Sequence, residues 1–280
     1  MEVFTSVKSL RNFLDQQLLQ QRTVGLVPTM GALHDGHISL IERAIQQTDI
    51  VVCSIFVNPT QFNNPEDLLK YPRTPEEDYA MLEKAGCSAV FAPSVEEMYP
   101  EAPLLTINFG TLETVMEGAS RPGHFNGVGI VVSRLFNIVR PHKAYFGQKD
   151  LQQVSIIRRL ITDLAFDLEL VVCPTIRELD GLAMSSRNRR LDANERNLAP
   201  AIYKILTSAK ENLLAGKQAD DVIELAKSKL LVITEMTLDY IEIVNLKTLQ
   251  SIGQIGPKGS NAVCIAVFLG PVRLIDNIVF

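Results

Sequence analysis

The 280-residue sequence is short of several things, and each shortage excludes a class of protein. It contains no G-x-x-x-x-G-K-[ST], so it has no P-loop, and Gly127-Val-Gly129 lacks the third glycine of a complete G-x-G-x-x-G. H-E-x-x-H and G-x-S-x-G are also missing, which sets aside zincin and serine-hydrolase chemistry. Basic residues are not in excess: 27 Lys and Arg stand against 32 Asp and Glu, a net charge of −5. A broad nucleic-acid surface needs a basic face to displace phosphate counterions, so that class is disfavoured, while a local basic pocket for one small anion stays open. The cysteines Cys53, Cys87, Cys173 and Cys264 form no C-x-x-C, which argues against a zinc knuckle or a disulfide framework. Three of them lie in apolar, β-like runs and read as buried thiols in a reducing compartment.

Long apolar stretches are missing too. Ile50–Val57, interrupted by Ser54, is far short of the roughly 20 residues that span a bilayer. The opening MEVFTSVKSLRNFLDQQ has no cationic start followed by an apolar stretch, so it is not a secretory signal. The expectation is a cytoplasmic protein without a membrane partner. Hydrophobic residues make up 46% and charged residues 21%, enough to bury a sizeable core. At about 150 residues per domain, the length suits one large domain or two unequal ones.

Up to about residue 176 the pattern alternates between strand and helix. Thr23–Pro28, Asp49–Val57, Ser88–Ala92, Lys143–Phe146 and Leu168–Cys173 read as strands. His37–Gln47, Pro75–Gly86, Gly127–Val139 and Asp150–Asp163 read as helices. Such alternation predicts a Rossmann-like α/β fold, a parallel sheet with helices on both faces over residues 1–176. Ligands of such sheets sit beyond the carboxyl ends of the strands. Arg177–Arg190 is polar and reads as a loop. Asp192-Ala-Asn-Glu195 then has the spacing of a capping box and opens a long helix to about Leu214. A second helix near Ala219–Leu231 and three strands without helical crossovers (Thr237–Val244, Ala262–Leu269, Arg273–Val279) predict a smaller α+β domain over 177–280.

Four segments carry candidate chemistry. Pro28-Thr-Met-Gly-Ala-Leu-His-Asp-Gly-His37 follows a strand and opens a helix, and it holds two of the four histidines. His34 and His37, three apart, share one face of the first helical turn. Helix N-termini attract anions, so these imidazoles are suited to donate hydrogen bonds to phosphate oxygens as charge builds. The plainer reading is that His34 caps the helix and His37 lies on the surface. Gly147-Gln-Lys-Asp150 begins another helix, with Lys149 as a point charge for phosphate and Gln153 one turn on. Met184-Ser-Ser-Arg187 suits a mobile loop over a polyphosphate, or simply a solvated turn. Phe56-Val-Asn-Pro-Thr-Gln61-Phe places a polar Gln61 after the second strand.

Met30-Gly-Ala-Leu-His-Asp-Gly-His37 resembles the HIGH motif of the nucleotidyltransferase superfamily, in the M-G-x-L-H-x-G-H form of the pantoate–β-alanine ligases. FVNPTQF at 56–62, YPRTPEED at 71–78, GHFNGV at 123–128, FGQKDLQQ at 146–153 and MSSRN at 184–188 extend the resemblance over nearly the whole chain. The resemblance implies an ATP-dependent ligase that joins pantoate to β-alanine through a pantoyl adenylate, releasing pyrophosphate and AMP. It implies an ATP site formed by Met30, Gly31, Ala32, Leu33, His34, Asp35, Gly36, His37, Gly147, Gln148, Lys149, Asp150, Ile176, Met184, Ser185, Ser186 and Arg187. His37 and His34, with Lys149, Ser185 and Arg187, would act on the phosphates, and Gln61 and Gln153 would hold pantoate. The family further implies a homodimer and Mg²⁺ with ATP. Asp78 is the candidate metal ligand, with an early-turn helix acid as its plain alternative. Competing readings are another adenylyl-transferring enzyme or a nucleotide-binding sensor without activity.

Overall fold

The fully apolar runs become strands because both of their faces are covered. β2 (Val24–Thr29) and β3 (Ile50–Ile55) are buried along almost their whole length. The computed structural model describes residues 1–280, and contacts divide them into two units. The first comprises Met1–Gly110, Arg121–Gln148 and Ile156–Pro174, and the second Thr111–Ser120, Lys149–Ser155 and Thr175–Phe280.

The first unit is a six-stranded parallel sheet in the order β1-β4-β3-β2-β5-β6. Its other strands are β1 (Glu2–Phe4), β4 (Ala89–Phe91), β5 (Lys143–Gly147) and β6 (Glu169–Cys173). From β2 the chain winds through β3 and β4 to one side, and β5 and β6 lie on the other. The order therefore reverses between β2 and β5, where doubly wound sheets open a crevice at the carboxyl ends of their strands.

Pro28 lies where β2 and β5 have already parted. The carbonyls of Thr23 and Thr29 accept from Ile50 and Phe56 on the β3 side, while that of Val24 accepts from His142 on the β5 side. β2 residues thus alternate in direction, and Pro28 faces β5 without a donor. Pairing between β2 and β5 stops at Leu26 with Ala144, before Pro28 is reached. A proline in a central strand costs little where the neighbouring strand has already parted.

Helices follow the expected strands, with shifted ends: Asp35–Ile45, Pro75–Ala85, His124–Val139 and Leu151–Asp163. Pro75 opens its helix, and Gly86 closes it with a φ of 84°, a left-handed conformation that favours glycine. Residues 1–22 add β1 and a helix over Val7–Leu19, capped by Ser6, which the strand–helix pattern did not announce.

The second unit contains an antiparallel sheet, β7 (Met236–Asn245), β8 (Asn261–Leu269) and β9 (Val272–Val279), in that order. Leu206, Leu213, Ile243, Val263 and Ile265 are among the side chains of its core. Asp192 and Glu195 form the expected capping box, but the helix it opens is short, Ala193–Leu198. Pro200 interrupts the run, and a separate helix spans Ala201–Leu214, because proline cannot continue a ladder through its missing N–H.

Residues 111–120 and 149–155 cluster with the second unit, not with residues 1–176. The Gln152 side chain holds these segments together: its carbonyl accepts from Glu117 N (2.9 Å), and its amide donates to the carbonyls of Leu112 (2.7 Å) and Val115 (2.9 Å). Arg273 on β9 then takes Glu117 in a two-pronged pair at 2.7 and 2.8 Å and also bonds Asp239. Tyr240 donates to the same Glu117 (2.9 Å). Burial first, and the Glu117 charge second, hold its phenol well above the ordinary value. All four cysteines are buried and unpaired, and burial raises each thiol.

Candidate active site

The turn from β2 into the helix Asp35–Ile45 is held in an uncommon conformation. Gly31 has φ 79° and Ala32 φ 50°, two left-handed residues in succession. For alanine that region is unfavourable, so the surroundings must enforce it. They do so through Asp78, which is 1% exposed. Its Oδ2 accepts from Ala32 N at 2.9 Å, and its Oδ1 accepts from Leu33 N at 2.7 Å and from Thr74 Oγ1 at 3.2 Å. A side chain at position 31 would meet Asp78 Oδ2 at 2.9 Å, which adds a steric reason for glycine. Thr29 Oγ1 completes the brace, accepting from Gly31 N (3.3 Å) and donating to Ser54 O (2.7 Å).

Asp78 braces the turn, its two oxygens accepting from the backbone N–H groups of Ala32 and Leu33. No group of three or more His, Cys, Asp or Glu side chains could hold a metal ion. Ala32 and Leu33 are fully buried, Leu33 within the core of the first unit.

The histidines ride on the braced turn. His34 occupies the N-cap position in extended conformation, and its ring makes no capping bond, so its side chain is not there to close the helix. The rings of His34 and His37 lie 4.0 Å apart, tilted by 40°. Both are half-buried, as are Met30 and Gly36, while Asp35 is exposed. Two imidazoles thus stand together at the positive end of an 11-residue helix. That helix begins at the strand reversal.

β5, the strand beside β2, ends at Gly147. A Cβ there would meet nothing within 4 Å, and its φ lies outside the left-handed region, so neither packing nor conformation demands glycine.

Gln61 lies 9% exposed in the single turn Pro59–Gln61 that follows β3. Asn58 donates to Gln61 Oε1 (3.3 Å), which leaves the amide NH₂ pointing at Met30 Sδ (2.8 Å). A thioether is a weak acceptor, so this donor is oriented but poorly satisfied. The turn is itself anchored. Asn58 also donates to Gly127 O (3.1 Å) and accepts from Tyr99 OH (2.9 Å), whose phenol is raised by burial. His124 Nδ1 lies 2.8 Å from Gln61 O, and Arg121 is 3.2 Å from His124 Nε2. A guanidinium only donates, so Nε2 accepts and Nδ1 carries the proton given to Gln61. The helix His124–Val139 comes so close that a Cβ at Gly127 would stand 2.2 Å from Thr60 O. Asn58, Tyr99, Arg121 and His124 were not singled out from sequence, although three lie inside or next to the FVNPTQF and GHFNGV segments.

Other expected residues belong to the second unit. Lys149 occupies a single turn, Gln148–Asp150, with its ammonium 3.9 Å from Asp150 Oδ1. Gln153 is half-buried in the helix that follows. The stretch read as a loop is more ordered than its composition suggests. Arg177 bridges Ala183, and Met184 N donates to Ile176 O (3.0 Å), making a small hairpin from 176 to 184. Ser185 then caps a turn over Ser186–Arg190, accepting from Arg187 N at 3.3 Å. Ser186 is buried, while Ile176, Met184, Ser185 and Arg187 are half-exposed.

Comparison with known proteins agrees along the whole chain. A sequence profile described as pantoate-beta-alanine ligase matches residues 2–279. A pantothenate synthetase of Porphyromonas gingivalis is 50% identical over 278 residues, covering 99% of both chains. Among solved structures, pantothenate synthetase from Thermus thermophilus matches with a TM-score of 0.93 and 43% identity over 99% of both chains. Pantoate-beta-alanine ligase from Francisella tularensis, complexed with β,γ-ATP and β-alanine, matches with a TM-score of 0.83 and 36% identity, over 100% of this chain and 97% of that one. No helix is long and apolar enough to cross a membrane.

Proposed function

The chain belongs to the pantoate–β-alanine ligase family, and on that premise we propose that it condenses pantoate with β-alanine at the expense of ATP, yielding pantothenate, AMP and pyrophosphate. The observation that carries this reading is the His34–His37 pair on a braced helix start at the strand reversal, beside a Gly147 that the protein's own packing does not require. A triphosphate lying there meets the positive helix end, and Gly147 leaves space for it.

A carboxylate is already a nucleophile. The protein must therefore align pantoate with the α-phosphorus and stabilise the charge of the five-coordinate transition state. His34 and His37 donate ring N–H groups to the phosphate oxygens, His37 being the proton donor of the pair. Gln61 turns its oriented NH₂ from the sulfur of Met30 to pantoate, a far better acceptor, and Gln153 supplies a second amide. Lys149, Ser185 and Arg187 are the further groups we assign to the phosphate charge. Pantoate oxygen bonds to phosphorus as pyrophosphate leaves. The β-alanine amine then attacks the acyl carbon, AMP departs with the bonding pair, and the nitrogen gives up a proton to solvent as the amide forms. Keeping water from the adenylate is the task we assign to the Met184–Arg187 segment, with residues 177–280 as the lid domain.

Mg²⁺ would enter with ATP and would offset charge on the phosphates, beside the protein groups named above. The reading includes a homodimer in the cytoplasm. The direct test is AMP release measured with ATP, pantoate and β-alanine, and with each omitted in turn. Strict dependence on all three is expected. Release without pantoate would overturn the assignment.

A further inference from the structure

The Asp276–Asn277 pair on β9 serves two separate segments of the second unit. β9 is an edge strand, and its consecutive side chains point to opposite faces. Both residues are buried, at 5% and 2% exposure. Asn277 Nδ2 donates to the carbonyl of Lys149 at 2.9 Å. Asp276 receives Arg177 through two bonds, NH1 to Oδ2 at 2.6 Å and NH2 to Oδ1 at 2.9 Å. Arg177 in turn donates to Gly181 O (3.1 Å) and Asn277 O (3.3 Å), and its guanidinium lies 3.8 Å from the Tyr203 ring centre. Asn277 N closes on Asp276 Oδ1 at 2.7 Å, tying the two grips to each other.

Each grip ends next to a residue expected at the phosphates. Asn277 holds the main chain of Lys149 itself. Arg177 is the base of the 176–184 hairpin, and Ser185 and Arg187 follow directly from its second strand. A two-pronged arginine–carboxylate pair fixes orientation as well as distance. We propose that Asp276 and Asn277 are positioning residues that hold Lys149 and the Ser185–Arg187 segment at a fixed separation before ATP arrives. This rests on the reading that those residues bind the triphosphate. Neither positioning residue touches substrate; both act through the groups they hold. Pre-placing two cations spares their ordering during the reaction, and an error of about 1 Å can cost 10²-fold in rate.

The test is a pair of double-mutant cycles read by ATP binding in a calorimeter and by the rate of adenylate formation. Asn277→Ala, and the nearly isosteric Asn277→Asp, which sets an acceptor against the Lys149 carbonyl, are each expected to weaken ATP binding and slow adenylate formation about tenfold. In a Lys149→Ala background the same changes should shift ATP affinity less than twofold, because the group through which Asn277 acts is gone. Asp276→Asn should behave likewise against Arg187→Ala. Equal losses in both backgrounds would mean general loosening and overturn the proposal, as would wild-type affinity and rate in Asn277→Asp. Should Asn277→Ala fail to fold in a thermal melt, Asn277→Asp carries the cycle. Wild-type protein that binds no ATP would instead refute the ATP-site reading itself.

Discussion

The two units hold their expected phosphate groups by different means. In the first, a single buried carboxylate, Asp78, pins two left-handed residues, and neutral amides and an imidazole steady Gln61. In the second, the Asn277 amide holds the Lys149 carbonyl, and arginine–carboxylate pairs do the rest: Arg177 with Asp276, Arg273 with Glu117 and Asp239, and Arg196 with Glu178 and Asp180. A parallel sheet delivers helix starts at the ends of its strands, so one braced turn can fix its site. Segments that are not strands of the antiparallel sheet have no such registration, and side chains reaching from it provide it.

The largest expected effect breaks the second unit's mode of support. Arg273→Ala removes the cation that Glu117 and Asp239 share; with side-chain exposures of 18% for Arg273 and 9% for Glu117, the pair is largely out of water. Removing one partner of such a pair costs about 3–5 kcal/mol. Urea unfolding should show that loss, and a loss below about 1 kcal/mol would place the pair with exposed bridges of little consequence.

Next comes the chemistry of the first unit. His37→Ala should lower kcat by roughly 10²-fold or more, the range for a lost transition-state donor, with a smaller change in the KM of pantoate. An unchanged kcat would remove His37 from the reaction.

Asp78→Asn separates brace from chemistry. One of the two buried N–H groups loses its acceptor, at about 1–3 kcal/mol. Because the histidines sit on that turn, kcat should fall about tenfold in protein that still folds. A stability loss with kcat intact would show that the turn needs no brace to place the rings.

The smallest effect is silent at neutral pH. Burial raises the Cys87 thiol from 9.0 to about 11, partly offset by backbone hydrogen bonds. A group raised on folding contributes stability below its unfolded value and loses it as the pH climbs through the folded one. Unfolding free energy should therefore decline between pH 9 and 11, and Cys87→Ala should reduce the slope over that window. An unaltered slope would exclude Cys87 as a contributor.

What was legible in the sequence follows from how local its cause is. β2 and β3 announce themselves because strands buried on both faces must be apolar throughout. The Gly86 stop and the Asp192–Glu195 box are settled within a few residues. The His34–His37 face was readable because three residues along a helix span one turn. Asp78 was not: beside the exposed Glu76 and Glu77 it looks like another early-turn acid, and its partners Ala32 and Leu33 lie 46 and 45 residues away. The Asp276–Asn277 pair was hidden in the same way, its partners being 99 and 128 residues distant. Segments 111–120 and 149–155 moved to the second unit because of Gln152 and Glu117, whose contacts no periodicity records.

The most direct measurement is a crystal structure with a non-hydrolysable ATP analogue and pantoate bound. The expected result places the triphosphate against the start of the helix Asp35–Ile45, within hydrogen-bond reach of His34 and His37, with the Gln61 amide turned from Met30 to pantoate. A triphosphate bound elsewhere, or imidazole rings packed away from it, would contradict the account.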